Sequence, residues 1–130
     1  MPLDPDFLAY AAEGKIKGIE FGIGADKDDV IRKWGEPQKT GSWQTPYGSW
    51  FDYYYFFGNP DESVSAIRIG GNTVNDSVDE WKKALGEPRE EGPGEVESGW
   101  TLYYEAGDYQ IFINADAEDG TVRYLTLKKR

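Results

Sequence analysis

IGADKDDVIRKWGEP (Ile23–Pro37) and VNDSVDEWKKALGEP (Val74–Pro88) are one pattern written twice, 51 positions apart. Gly35-Glu36-Pro37 falls on Gly86-Glu87-Pro88, Val30 and Trp34 fall on Trp81 and Leu85, and Asp28-Asp29 fall on Asp79-Glu80. Each copy predicts a short amphipathic helix. Asp26 and Ser77 are suited to the N-cap, where a side-chain oxygen can accept an orphan backbone N–H, and acids follow in the first turn, where the helix dipole favours them. The apolar pairs are spaced i, i+4 and so share one helix face. Glycine then provides a left-handed residue past the end, and proline two positions later stops the helix from resuming.

Outward from each helix the period becomes extended. In the first half Trp50–Phe57 (WFDYYYFF) predicts a strand, Gly58–Asp61 a turn and Val64–Ile69 a second strand. In the second half Trp100–Glu105 and Tyr109–Asn114 predict a hairpin, and Asp119-Gly120 turns into Val122–Leu127. The closing strands match as well: Ser63–Ile69 lies over Thr121–Leu127 with a displacement of 58, so the halves differ by an insertion. The expected organisation is one domain over 1–130, with a first unit at 22–71 and a second at 72–130. Ahead of them, Pro5–Glu13 reads as a helix and Lys15–Phe21 as a strand. Arg89–Gly99 (REEGPGEVESG) is acidic and glycine-rich, which predicts a mobile loop.

Composition limits the chemistry. The 130 residues hold 24 acids, 14 Lys or Arg, no histidine and no cysteine, for a formal charge of −10. That leaves no thiol nucleophile, disulfide, thiolate zinc site or imidazole base. The negative charge opposes binding to nucleic acid or to an anionic membrane surface. No apolar stretch is long enough for a membrane-spanning helix. Residues 1–15 lack the basic and apolar regions of a signal peptide, so either the protein is cytoplasmic or a leader has been removed. Asn114–Gly120 has oxygen ligands at alternate positions. Without the glycine and glutamate an EF-hand needs, it reads as a turn, and no metal or other cofactor is expected. Carboxylate pairs of the kind glycosidases use will arise by proximity in so acidic a chain, and none is marked out as catalytic, so an enzyme is not the expected reading. Lys128-Lys129-Arg130, the one basic cluster, reads as a solvated tail.

The 5 Trp, 9 Tyr and 6 Phe remain. Most should build the core, each burying ~150–250 Å². A sheet packed by helices on one side leaves its other face open, and aromatics there would suit recognition of a protein or a sugar. The candidates for such a face are Trp43, Tyr47, Trp50, Tyr53, Tyr55, Trp100 and Tyr103.

Gly14–Pro37 (GKIKGIEFGIGADKDDVIRKWGEP), the aromatic strands and the second unit at Leu85–Pro88 together resemble the YjgB-like domain, from about Phe7 to Leu127. This is a family of uncharacterised secreted or lipid-anchored proteins of Bacillus-type Gram-positive bacteria. The repeat is also similar to that of the beta-lactamase-inhibitor protein and of small outer-membrane-assembly lipoproteins. The resemblance implies an α+β fold in which tandem helix-plus-sheet units form one curved antiparallel sheet with helices on one side. It further implies an extracellular or cell-envelope location, although a cytoplasmic one stays open. The expected function is non-enzymatic binding of a protein partner on the aromatic sheet face, the alternative being stacking of a small ligand or cell-wall glycan.

Overall fold

The computed structural model describes residues 6–16, 21–35, 42–44, 49–52, 63–64, 66–70, 76–93 and 99–130. They form three helices, α1 (Phe7–Ala11), α2 (Lys27–Trp34) and α3 (Val78–Leu85), and seven strands. The strands are β1 (Ser42–Gln44), β2 (Ser49–Asp52), β3 (Ala66–Gly70), β4 (Glu90–Pro93), β5 (Trp100–Ala106), β6 (Tyr109–Ala115) and β7 (Val122–Lys129). They make one sheet in the order β1-β2-β3-β7-β6-β5-β4, antiparallel throughout. The fold is mixed helix and antiparallel sheet, as expected. The closing strands of the two halves, β3 and β7, pair with each other in the middle of it.

Register explains the core. Because facing residues of an antiparallel pair share a side of the sheet, pairings can be followed from strand to strand as rows. One row runs Ile67, Leu127, Ile111, Tyr104 and a second runs Ile69, Leu125, Ile113, Leu102; none of these eight is more than 3% exposed. Phe7 and Ala11 of α1, Val30 of α2, and Val78 and Trp81 of α3 complete the same cluster. Trp81 and Phe7 meet edge to face, with ring centroids 5.8 Å apart. Val30 and Trp81 hold matching places in the two helical segments, and both are fully buried.

The helices start alike. The N-cap residues each bridge to the residue that leads into a closing strand, Asp26 to Ser63 and Ser77 to Thr121. Val64 N–H donates to the Ala25 carbonyl and Val122 N–H to that of Asp76, both at 2.9 Å. Only α3 has a capping box, in which Ser77 Oγ accepts the Glu80 N–H and the Glu80 carboxylate accepts the Ser77 N–H. Asp26 makes no side-chain cap bond.

The helices also end alike, but not in the left-handed conformation expected past the last turn. Gly35 (φ 83°, ψ −174°) and Gly86 (φ 88°, ψ −172°) are the C-caps themselves, each donating its N–H four residues back, to Ile31 and Lys82. Positive φ with extended ψ is a region essentially reserved for glycine. No neighbour lies within 4 Å of an added Cβ at Gly86, so the penalty there is purely conformational. Gly86→Ala should therefore cost about 1–3 kcal/mol, read as a lower urea midpoint at unchanged m-value.

Other expectations need correction. Glu90–Pro93, read as loop, is the edge strand β4. Charges, glycine and proline are what an edge strand tolerates, since one side of its backbone has no ladder to maintain. Lys128-Lys129-Arg130 is not a free tail: β7 runs to Lys129, and Arg130 donates its N–H to the Asp108 carbonyl and pairs with Glu105. Of the strand expected at Lys15–Phe21, the described ends (15, 16 and 21) are not in strand, and 17–20 lie outside the described residues. The hairpin at Ala106–Asp108 is present, with Tyr109 opposite Ala106 and Gly107 at φ 59°.

Candidate binding face

Alternate residues of β3, β7, β6 and β5 point away from the core and make the open face. One row crosses Arg68, Thr126, Phe112, Tyr103 and, at the β4 edge, Glu90. The next crosses Tyr124, Asn114, Thr101 and Gly92. A groove of about 440 Å³ lies over them, lined by Arg68, Tyr124, Thr126, Lys128, Phe112, Asn114, Thr101 and Pro93. These residues come from five adjacent strands, which span ~19 Å at the usual strand spacing. A second hollow of about 610 Å³ adjoins it toward β4 and shares Pro93, Thr101 and Phe112.

The face is organised by aromatic rings and cations. The Arg68 guanidinium lies 4.9 Å from the centre of the Tyr124 ring, and its Nε donates to Thr126 Oγ1 at 3.3 Å. Lys128 Nζ lies 5.2 Å from the centre of the Phe112 ring. Phe112 in turn packs on Tyr103 at 5.1 Å, and the Tyr103 hydroxyl donates to Gln110 at 3.2 Å. Asn114 Nδ2 donates to Thr101 Oγ1 at 3.1 Å. Each cation thus sits over a ring whose negative face attracts it.

On the opposite side of the β4 edge, Lys82 of α3 contacts both oxygens of Glu91, at 2.9 and 2.8 Å, and the Trp100 indole N–H donates to Glu91 at 2.9 Å. Hydrogen bonds from Lys82 and then from Trp100 hold the Glu91 carboxyl below its ordinary pKa of 4.5. A depressed carboxyl stabilises the fold above its unfolded pKa, and this contribution disappears as the pH falls through the folded value. Glu91→Gln should therefore be less stable than wild type at pH 7, and the gap should close as the pH drops below about 4.5, measured by urea titration at each pH. Burial, together with the charges of Glu87 and Glu91, pushes the Tyr104 phenol up to about 12; its hydroxyl donates to the Gly86 carbonyl at 2.7 Å. Arg123 holds Asp116, the first carboxylate of the calcium-like run, with two bonds of 2.5 and 2.6 Å. Among the described residues no cluster of three or more metal-ligating side chains occurs.

The candidates read from the sequence divide between faces. Tyr103 stands in the open row, and the register puts position 50 of β2 in that same row, opposite Arg68. Position 43 of β1 faces position 51, which faces Ile67, so it belongs to a core row. Trp100 faces Ala115 and packs against the core, with its indole tied to Glu91. For β1 and β2 the backbone alone is described, and Tyr47, Tyr53 and Tyr55 lie outside the described residues. Sequence reasoning passed over Phe112, Tyr124, Arg68 and Lys128. Their signal was present: each is out of phase with the buried aliphatics of its own strand, as Phe112 is with Ile111 and Ile113.

Residues 6–127 match DUF4309, a domain of unknown function. The chain belongs to this family. The DUF4309 chain is also similar over 98% of its length to the crystal structure of YjgB, a DUF4309 protein from Bacillus subtilis, at 18% identity and a TM-score of 0.67, covering 99% of that chain. An extracellular protein containing a SCP domain from Bacillus anthracis is similar over 88% of this chain and 49% of its own, at 12% identity and a TM-score of 0.58. Both likenesses concern the fold. No curated protein matches.

Proposed function

We propose that this DUF4309 domain is a non-enzymatic binding module of the cell envelope or extracellular space that grips another protein on its open sheet face. One observation carries the reading: an aromatic and cationic concavity lies across five strands, on the side of the sheet away from the helices. Tyrosine and arginine concentrate energy in protein interfaces and phenylalanine is enriched there, the aromatics because they bury large area with few rotors to freeze and arginine because its planar fork makes several directed bonds. The sugar-stacking alternative is less favoured, because the Tyr124 and Phe112 rings each already carry a cation over one face. A location outside the cytoplasm is supported by the similarity to an extracellular Bacillus protein, and no described helix is long and apolar enough to cross a membrane. Descent from a duplicated helix-plus-sheet unit is supported by the matching bridges at Asp26 and Ser77 and the matching caps at Gly35 and Gly86.

The test is affinity capture from a Bacillus envelope extract with wild type and a Tyr103→Ala/Phe112→Ala variant of matched stability. The reading requires a protein retained by wild type and lost from the variant. Recovery of every retained protein by both would reject the open face as the interface.

A further inference from the structure

The groove is electrically out of character with the chain. Acids outnumber bases 24 to 14 overall, yet the described lining of the groove over β6 and β7 carries two cations, Arg68 and Lys128, and no carboxylate. Both cations are exposed. In the register Arg68 faces Thr126, two residues from Lys128, so their stems are diagonal neighbours ~7–8 Å apart. Neither has a carboxylate partner among the described residues, unlike Lys82, Arg89, Arg123 and Arg130. Among the described residues Arg68 bonds through its Nε to a threonine, and no bond from its terminal nitrogens is seen. A guanidinium stacked on a ring, with no carboxylate on its fork among the described residues, is arranged to receive one with two parallel bonds.

The size of the groove says what kind of carboxylate. A groove lined from five strands, which span ~19 Å at the usual spacing, exceeds a single small anion and compares with about six residues of extended chain. Hydroxyl and amide groups at Thr101, Asn114 and Thr126 can meet a peptide backbone. Phe112, and Tyr103 in the adjoining hollow that Glu90 and Glu91 also line, offer area to an apolar side chain. Resting on the open-face reading and naming its partner, we infer that the groove receives an acidic segment of a protein, with carboxylates at Arg68 and Lys128 and an aromatic or aliphatic side chain on Tyr103 and Phe112.

The probes are a labelled peptide of alternating glutamate and tyrosine, about seven residues long, its glutamine and lysine counterparts, and a uronic-acid tetrasaccharide. They are titrated into wild type, Arg68→Gln/Lys128→Gln and Tyr103→Ala/Phe112→Ala by fluorescence anisotropy, with circular dichroism confirming that each variant is folded. The glutamate peptide should bind wild type at least about tenfold tighter than the glutamine peptide, that margin should vanish in Arg68→Gln/Lys128→Gln, and added salt should weaken it. Equal affinity for the glutamate and glutamine peptides, with both lost in Tyr103→Ala/Phe112→Ala, would overturn the acidic-segment inference and leave the open face standing. Glutamate-peptide binding that survives both variants would overturn the open face too. No binding of the glutamate peptide, or tighter binding of the tetrasaccharide, would overturn the peptide assignment.

Discussion

Trp81→Ala will lower folding stability by about 3–5 kcal/mol, and Trp81→Phe by no more than about 2. Trp81 is fully buried on α3, and its ring meets Phe7 edge to face, so the same side chain ties both α1 and α3 to the sheet. Truncation to alanine removes the apolar area and leaves a cavity that a sheet cannot easily collapse to fill. Phenylalanine keeps most of the area and the aromatic contact. It also removes a buried polar group, the indole Nε1, that has no hydrogen-bond partner among the described residues. An unpaired buried donor costs about 1–3 kcal/mol, which offsets part of the lost packing. Against a domain stability of about 5–15 kcal/mol, the alanine variant should melt at least about 10 °C lower, with phenylalanine much nearer wild type. Equal losses in the two variants would mean that the indole has found a partner.

The second large effect separates two neighbouring residues of β7. Leu125→Asp will leave the chain largely unfolded, while Thr126→Asp will change stability by at most about 1 kcal/mol. Leu125 is fully buried at the middle of the sheet between Ile69 and Ile113. A carboxylate there loses the leucine packing and must be desolvated with no cation in reach, several kcal/mol in all. Thr126 faces the groove, where its hydroxyl accepts from Arg68 Nε; an aspartate can accept that bond and stay in water. The same substitution places a negative charge between the two cations, so Thr126→Asp should keep the fold while weakening the glutamate peptide. Urea denaturation followed by circular dichroism reads the first effect and anisotropy the second.

The matching stretches Ile23–Pro37 and Val74–Pro88 made α2 and α3 legible, because both ends of each are written in local chemistry: acids and an N-cap residue at the start, glycine and proline at the stop. Alternation made β5, β6 and β7 legible in the same local way. The edge strand β4 was not, since Glu90-Glu91-Gly92-Pro93 has the composition of a loop and becomes a strand only because β5 offers it a ladder. The open face was half legible. Alternation within VRYLTLKK separates Tyr124, Thr126 and Lys128 from Leu125 and Leu127 without any structure. That Phe112 and Arg68 flank Thr126, and that Trp43 and Trp50 fall in rows of opposite faces, depends on which strands pair and in what register. Those are long-range facts that no local pattern carries. The aromatic density of Trp50–Phe57 drew attention to residue type, where the phase against the buried aliphatics was the more telling signal.

The most direct test of the open face is covalent footprinting of the wild-type chain alone and with its captured partner, read residue by residue by mass spectrometry. Loss of labelling at Tyr103, Phe112, Tyr124 and Lys128, with labelling of Asp79, Glu80 and Lys83 on the exposed side of α3 unchanged, is the predicted result. Protection of the α3 residues with the four sheet residues still labelled would place the partner on the helical side and contradict the account.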